Sequence, residues 1–195
     1  MGFSVSFNKN AQLPRQVALE MKLSEPKAGE ARKITEIAAL EMRGGRPTGV
    51  EFHAVFGAEK EFSKTMSALR RFIGGDTVVF CPAKDACKDG KLPPDIAFLN
   101  SVFAKIGQDV IPDQQLQSLR QMTDKIFGDK AVPLEKMLVR YELSLPESAA
   151  PEHRALSHAR QLAGVYSSVA RDFTAFLSRQ AVAAKAAVTP KSQPG

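Results

Sequence analysis

The sequence predicts a layered α/β domain, and three observations predict it. Residues 16–56 hold one run with apolar side chains on alternate positions and two more apolar runs rich in strand formers. After Gly57 the spacing turns helical, with one short strand-like run at 77–81, and from residue 95 it stays helical to 178. Strands first, then strand and helix in alternation, then helices is the order of a sheet covered by helices.

Taking the chain in order, Phe3, Val5 and Phe7 alternate, so residues 2–8 are expected to form a short extra strand before a polar link to Pro14. The same stretch, Met1-Gly2-Phe3-Ser4-Val5-Ser6, matches the loose N-myristoylation pattern. Such short patterns often match by accident, and the alternation favours the strand. Val17, Leu19, Met21 and Leu23 fall on alternate positions and predict a half-buried strand over 16–23. Pro26 and Gly29 mark 24–31 as a loop. Residues 33–42 and 50–56 are two more runs of strand formers joined by the Gly/Pro turn 44–49, which predicts an antiparallel hairpin and a three-stranded meander.

Phe62, Met66, Leu69 and Phe72 share a helical face, and Gly74-Gly75 stops that helix before the strand at 77–81. Residues 82–92 are polar and turn-rich and are expected as a loop. Helices follow at about 95–106, 113–127, 133–142 and 154–178. In the third of these, Leu134, Leu138 and Tyr141 lie at i, i+4, i+7 and Pro133 suits a first turn. From residue 180 the chain is rich in Ala, Lys, Pro and Ser, which predicts a flexible tail. The expected organisation is an extension over 1–14, a domain over 15–179 and a tail over 180–195.

A chain of 195 residues, 44% of them hydrophobic, supports one full core. No run approaches the ~20 apolar residues of a membrane span and the start lacks a signal-peptide layout, so the expected address is the cytoplasm, with no membrane partner. Cys81 and Cys87 fit neither a C-x-x-C pair nor a zinc knuckle and are expected to be reduced. A net charge of +6 and a pI near 9.4 favour a polyanionic partner, although the basic residues are scattered and form no dedicated arm.

The stretch Lys33-Ile34-Thr35-Glu36-Ile37-Ala38-Ala39-Leu40-Glu41-Met42, followed by Gly45-Arg46-Pro47-Thr48-Gly49 and Val50-Glu51-Phe52-His53, resembles the second and third strands of DnaQ-like (DEDDh) 3′→5′ exonucleases. That family includes the epsilon proofreading subunit of bacterial DNA polymerase III. The similarity continues in Asp95-Ile96-Ala97-Phe98-Leu99-Asn100 with Phe103, in Lys125-Ile126-Phe127-Gly128, from Leu134 to Tyr141, and in Leu162-Ala163-Gly164-Val165-Tyr166. The resemblance implies a ribonuclease H-like three-layer α/β/α sandwich with a five-stranded mixed sheet and helices on both faces.

Members of the family cleave a terminal phosphodiester with two divalent metals held by four carboxylates, while a histidine takes a proton from the attacking water. Carboxylates suit the task because Mg²⁺ and Mn²⁺ prefer hard oxygen ligands. The first family motif, Asp-x-Glu-Thr-Thr-Gly, falls on Glu20-Met21-Lys22-Leu23-Ser24-Glu25. Glu20 keeps an acid, Lys22 puts an ammonium where the second carboxylate belongs, and the Thr-Gly turn is absent. By the same match Lys22, Leu23 and Ser24 are the positions expected to meet nucleic acid. In the second motif Cys81-Pro82 stands where His-Asn belongs, and Asp95 is the best match to the aspartate, ahead of Asp85. In the third, His153 matches the general-base histidine, and His158 occupies the position of the last aspartate. Away from these motifs, His53 is expected to be structural, 44–49 to be a hairpin turn rather than a phosphate loop, and 85–90 to be no calcium loop.

Glu20, Lys22, Asp95 and neutral His158 sum to −1 where four carboxylates would give −4. An ammonium within ~4 Å of a divalent ion repels it by several kcal/mol, since each unit-charge pair costs about 4 kcal/mol at an effective dielectric near 20. The expectation is an exonuclease-fold protein impaired or inactive in catalysis, with no cofactor, or Mg²⁺ or Mn²⁺ if residual activity remains. Its expected partner is a single-stranded 3′ end or a polymerase or repair protein. Lys22 then either meets a phosphate as a point charge or projects into solvent. Two alternatives stand beside this reading. One is an active metal-dependent nuclease with altered ligands, Glu20, Asp95 and His158 holding a single borderline ion. The other is a protein-interaction module whose tail after Gln180 serves as a docking peptide.

Overall fold

The computed structural model describes residues 13–25, 31–57, 61–82, 92–128, 132–143 and 153–188. β1 (Arg15–Leu23), β2 (Ile34–Arg43) and β3 (Arg46–Val55) form the expected antiparallel meander. β4 (Thr77–Phe80) pairs parallel with β1, and β5 (Leu116–Ser118) pairs parallel with β4. The result is a five-stranded mixed sheet in the order β3-β2-β1-β4-β5.

Strand alternation divides the side chains between two cores. Val17, Leu19, Ile37, Ala39 and Val78 pack on one face with α1 (Phe62–Ile73) and α2 (Pro94–Lys105), through Met66, Leu69, Leu99 and Phe103. Ala18, Ala38, Leu40, Met42 and Val79 pack on the other with α3 (Leu119–Phe127), α4 (Leu134–Arg140) and α5 (Arg154–Val188). On that face Ala18 and Ala38 lie in one cluster with Ala155, Ala159 and Ala163, small side chains that let α5 approach the strands. Helices thus cover both faces, as the α/β/α expectation requires.

Polar groups fix the joints between layers. The buried amide of Asn100 donates to the Ile111 carbonyl at 3.0 Å and accepts the Ile111 N–H at 2.9 Å, which holds the approach to β5 against α2. The Tyr141 hydroxyl donates to Asp172 at 2.9 Å and the Tyr166 hydroxyl to Gln117 at 2.8 Å, tying α4 and β5 to α5.

Three expectations are corrected. The helix expected over 113–127 is a 3-10 turn, Asp113–Gln115, then β5, and only then α3. A three-residue strand is too short to show a period of its own, and α3, which follows it without a break, imposes helical spacing on the whole stretch. The hairpin turn is not 44–49 but Gly44-Gly45, both at positive φ (56° and 79°), the signature of a tight turn matched to strand twist. β3 therefore starts at Arg46. Its pairing steps from Met42↔Pro47 to Leu40↔Glu51, a bulge that Gly49 accommodates at φ 87°, and Pro47 is tolerated on this edge strand. Finally, α5 continues past 178 to Val188, because Ala181 and Ala183 favour helix and neither glycine nor proline intervenes before Pro190. The strand expected at 2–8, most of the loop at 82–92 and the end of the tail lie outside the described residues.

Candidate functional site

One edge of the sheet gathers the C-terminal ends of β1, β4 and β5, the start of β2, the end of β3 and the first turns of α2 and α5. Ligands of open α/β sheets bind outside the carboxyl ends of the parallel strands, which is this edge. Register sets which side chains meet there. Glu20 opposes Ala38, which opposes His53; Lys22 opposes Glu36, which opposes Val55. Directly opposed residues share a face, so Glu20, Lys22, Glu36 and His53 all lie on the side covered by α5.

Glu20 is half-buried, and burial pushes its carboxyl up to about 8, with the Asp95 carboxylate adding to the shift. The two acids matched to the family motifs are therefore electrostatic neighbours, although they come from β1 and from the first turn of α2. Asp95 is exposed and lies 3.9 Å from the Arg32 guanidinium, a distance at which a solvated pair contributes little. Lys22 is half-buried, and among the described residues its ammonium has no ion-pair partner. Leu23 packs against the core shared with α1 and α2. The Ser24 hydroxyl accepts the Lys33 N–H at 3.0 Å, so it closes the β1–β2 connection.

The histidines separate. His158 is exposed on α5, in line with buried Leu162 and Val165 at i+4 and i+7. His153 sits immediately before α5 with its ring edge-on to His53, centroids 5.3 Å apart. Between them lies a residue that the sequence reading did not single out. Glu36 is 3% exposed, and its carboxylate accepts the backbone N–H of Ala155 at 2.9 Å and of Leu156 at 3.3 Å. His53 Nε2 lies 3.0 Å from the same carboxylate. An acid at an inward position between Ile34 and Ala38, in a strand otherwise buried, was the signal available in the sequence.

These positions can be tested against the pair of divalent ions that the family resemblance implies. Glu20 and Asp95 offer two carboxylates, but a cation occupies the next inward position of β1 and His158 is exposed. Among the described residues, the metal-capable atoms that converge within 4.8 Å are those of Glu36, His53 and His153. That set does not include Glu20, Asp95 or His158, and the side chains do not fit a two-ion, four-carboxylate centre.

No protein-family description matches this chain, and no curated protein matches it. Among solved structures, the nuclease domain of 3′hExo, a DEDDh family member crystallised bound to rAMP, is similar with a TM-score of 0.52 and 9% sequence identity. The match covers 82% of this chain and 93% of that one. At that identity the likeness is one of fold: the chain has the ribonuclease H-like α/β/α architecture of a DEDDh exonuclease domain.

Proposed function

We propose that this protein binds the 3′ end of single-stranded nucleic acid at the carboxyl end of β1 and does not carry out the two-metal hydrolysis of related exonucleases. The observation that carries this reading is Lys22. It is half-buried on the same face as Glu20, two positions along the strand, and lacks an anionic partner among the described residues. A cation so placed disfavours a pair of divalent ions at Glu20 and Asp95 and suits a phosphate oxygen as a point charge. The net charge of +6 favours the same polyanionic ligand. Likeness to epsilon adds a polymerase or repair assembly as the setting in which such a module would act.

A labelled single strand with a free 3′ hydroxyl, incubated with the full chain and Mg²⁺, Mn²⁺ or Zn²⁺, tests the proposal. Expected is salt-sensitive binding without shortening of the strand. Metal-dependent shortening that Asp95→Ala abolishes would overturn it and establish a working nuclease. One observation favours that second reading: Glu20 and Asp95 interact as like charges, and a bound cation would relieve the repulsion.

A further inference from the structure

On the same face as Lys22, which opposes Glu36 but forms no ion pair with it among the described residues, β2, β3 and the start of α5 bring a carboxylate and two imidazoles together, with one ligand atom from each of Glu36, His53 and His153 within 4.8 Å of the others. We propose that these three residues bind a single divalent ion of the zinc class, with a fourth position open to solvent.

The donor set decides the class of ion. Two imidazoles with one carboxylate suit Zn²⁺ and its transition-metal neighbours, whereas Mg²⁺ and Ca²⁺ prefer oxygen alone. Zinc takes such ligands at about 2.0–2.2 Å in tetrahedral array, which puts ligand atoms roughly 3.3 Å from one another. Glu36 Oε1 and His53 Nε2 are 3.0 Å apart, already close to that separation. His153 is exposed and immediately precedes α5, so it can close the remaining distance by rotating its side chain. His53 must carry its proton on Nδ1, leaving the Nε2 lone pair for the ion.

The surroundings support a ligand role. A carboxylate has about four acceptor sites, and the N–H groups of Ala155 and Leu156 take two of those on Glu36. Those two bonds fix the carboxylate's orientation, as the outer contacts of metal ligands do. If His53 merely donates to Glu36, that bond satisfies the buried acid and leaves His153 with a ring contact and, among the described residues, no hydrogen bond. An ion uses both imidazoles. It would also staple β2, β3 and α5 together and occupy the histidine that the resemblance marks as a base. This site does not depend on nucleic-acid binding, and each can fail without the other.

The test is calorimetric titration of the chelator-stripped full chain with Zn²⁺, and with Co²⁺ for its visible spectrum. One equivalent should bind, with affinity falling on acidification because protons compete with the ion for its ligands, and with intense four-coordinate Co²⁺ bands. His53→Ala and His153→Ala should each weaken binding by roughly tenfold or more while the ion-free proteins keep the parent's circular dichroism. Glu36→Gln should weaken it too, but because Glu36 also anchors α5 the histidine variants carry the decision. Stoichiometric binding that survives both histidine substitutions would overturn the proposal, as would weak, non-saturating uptake alone. Loss of binding in Asp95→Asn with both histidine variants binding normally would place the ion at the other pair and equally overturn it.

Discussion

The Glu36 carboxylate accepts the backbone N–H of Ala155 at 2.9 Å, across 119 positions of sequence. The first N–H groups of a helix have no partner within the helix, and an anion there is favoured by the helix dipole as well as by hydrogen bonding. One buried acid on β2 therefore caps the start of α5, next to His153.

Replacing that acid should be costly in a graded way. Glu36→Ala leaves two helix N–H groups and His53 without an acceptor and is expected to destabilise by about 2–4 kcal/mol. Glu36→Gln keeps an acceptor oxygen but loses the charge, and should cost about 1–2 kcal/mol. Urea denaturation followed by circular dichroism would measure both, and equal midpoints for parent and Glu36→Ala would show that the acid does not anchor the helix.

Glu20 gives a pH dependence of opposite sign to that of a salt-bridged acid. Its folded value of about 8 lies above the ordinary value of 4.5, so between those limits the native state binds a proton that the unfolded state has released. Stability contributed through Glu20 is thus fully present at acid pH and is lost as pH rises through about 8. The residue keeps partial solvent contact, which moderates the penalty. Glu20→Gln should match the parent near pH ~4 and exceed it by about 1–3 kcal/mol near pH ~9. Carbon-detected NMR titration of the side chain should also show Asp95→Asn lowering the Glu20 value.

How much of this was legible in the residues follows from what each signal depends on. Strand alternation at Val17, Leu19 and Met21 and helical spacing at Phe62, Met66 and Leu69 are local patterns, and both elements lie where those patterns put them. β5 was not legible, because three residues carry no period and its place is set by pairing with β4. Glu20 and Asp95 were found by their likeness to family motifs. Glu36 was not, because its role depends on the antiparallel register that opposes it to Lys22 and on the arrival of α5 from far along the chain. Contacts of that range leave a mark in sequence only as an odd charge in an apolar strand.

Lys22→Glu tests the cation at the centre of the functional proposal. Exchanging an ammonium for a carboxylate beside a bound phosphate should lower affinity for a single-stranded oligonucleotide by about tenfold or more. It should also reduce the slope of log K against log salt by about 0.7, the contribution of one phosphate contact on a single strand. An unchanged slope in fluorescence anisotropy titrations would mean that Lys22 projects into solvent and touches no phosphate.

Arg15 offers a contrast at the opposite edge of the sheet, where its guanidinium joins β1 to β2 and to the end of α1. Nε donates to Glu41 at 2.6 Å, Nη1 to Asp76 at 2.5 Å and Nη2 to the Phe72 carbonyl at 2.8 Å, and the guanidinium also lies over the Phe72 ring. The hydrogen bond from Arg15 holds the Glu41 carboxyl below its ordinary value. Its contribution to stability is therefore present above the unfolded value of 4.5 and lost as pH falls through the lower folded value. Arg15→Lys keeps the charge but cannot reproduce the planar fork, and should cost about 1–2 kcal/mol at neutral pH. Arg15→Ala should cost about 2–4 kcal/mol, a difference that shrinks on acidification as the Glu41 carboxyl, held below its ordinary value, takes up a proton. Because this network is remote from Glu20, Lys22 and Glu36, oligonucleotide affinity should not change in either variant while the protein is folded. A drop in affinity parallel to the loss of stability would mean that the two edges of the sheet are coupled.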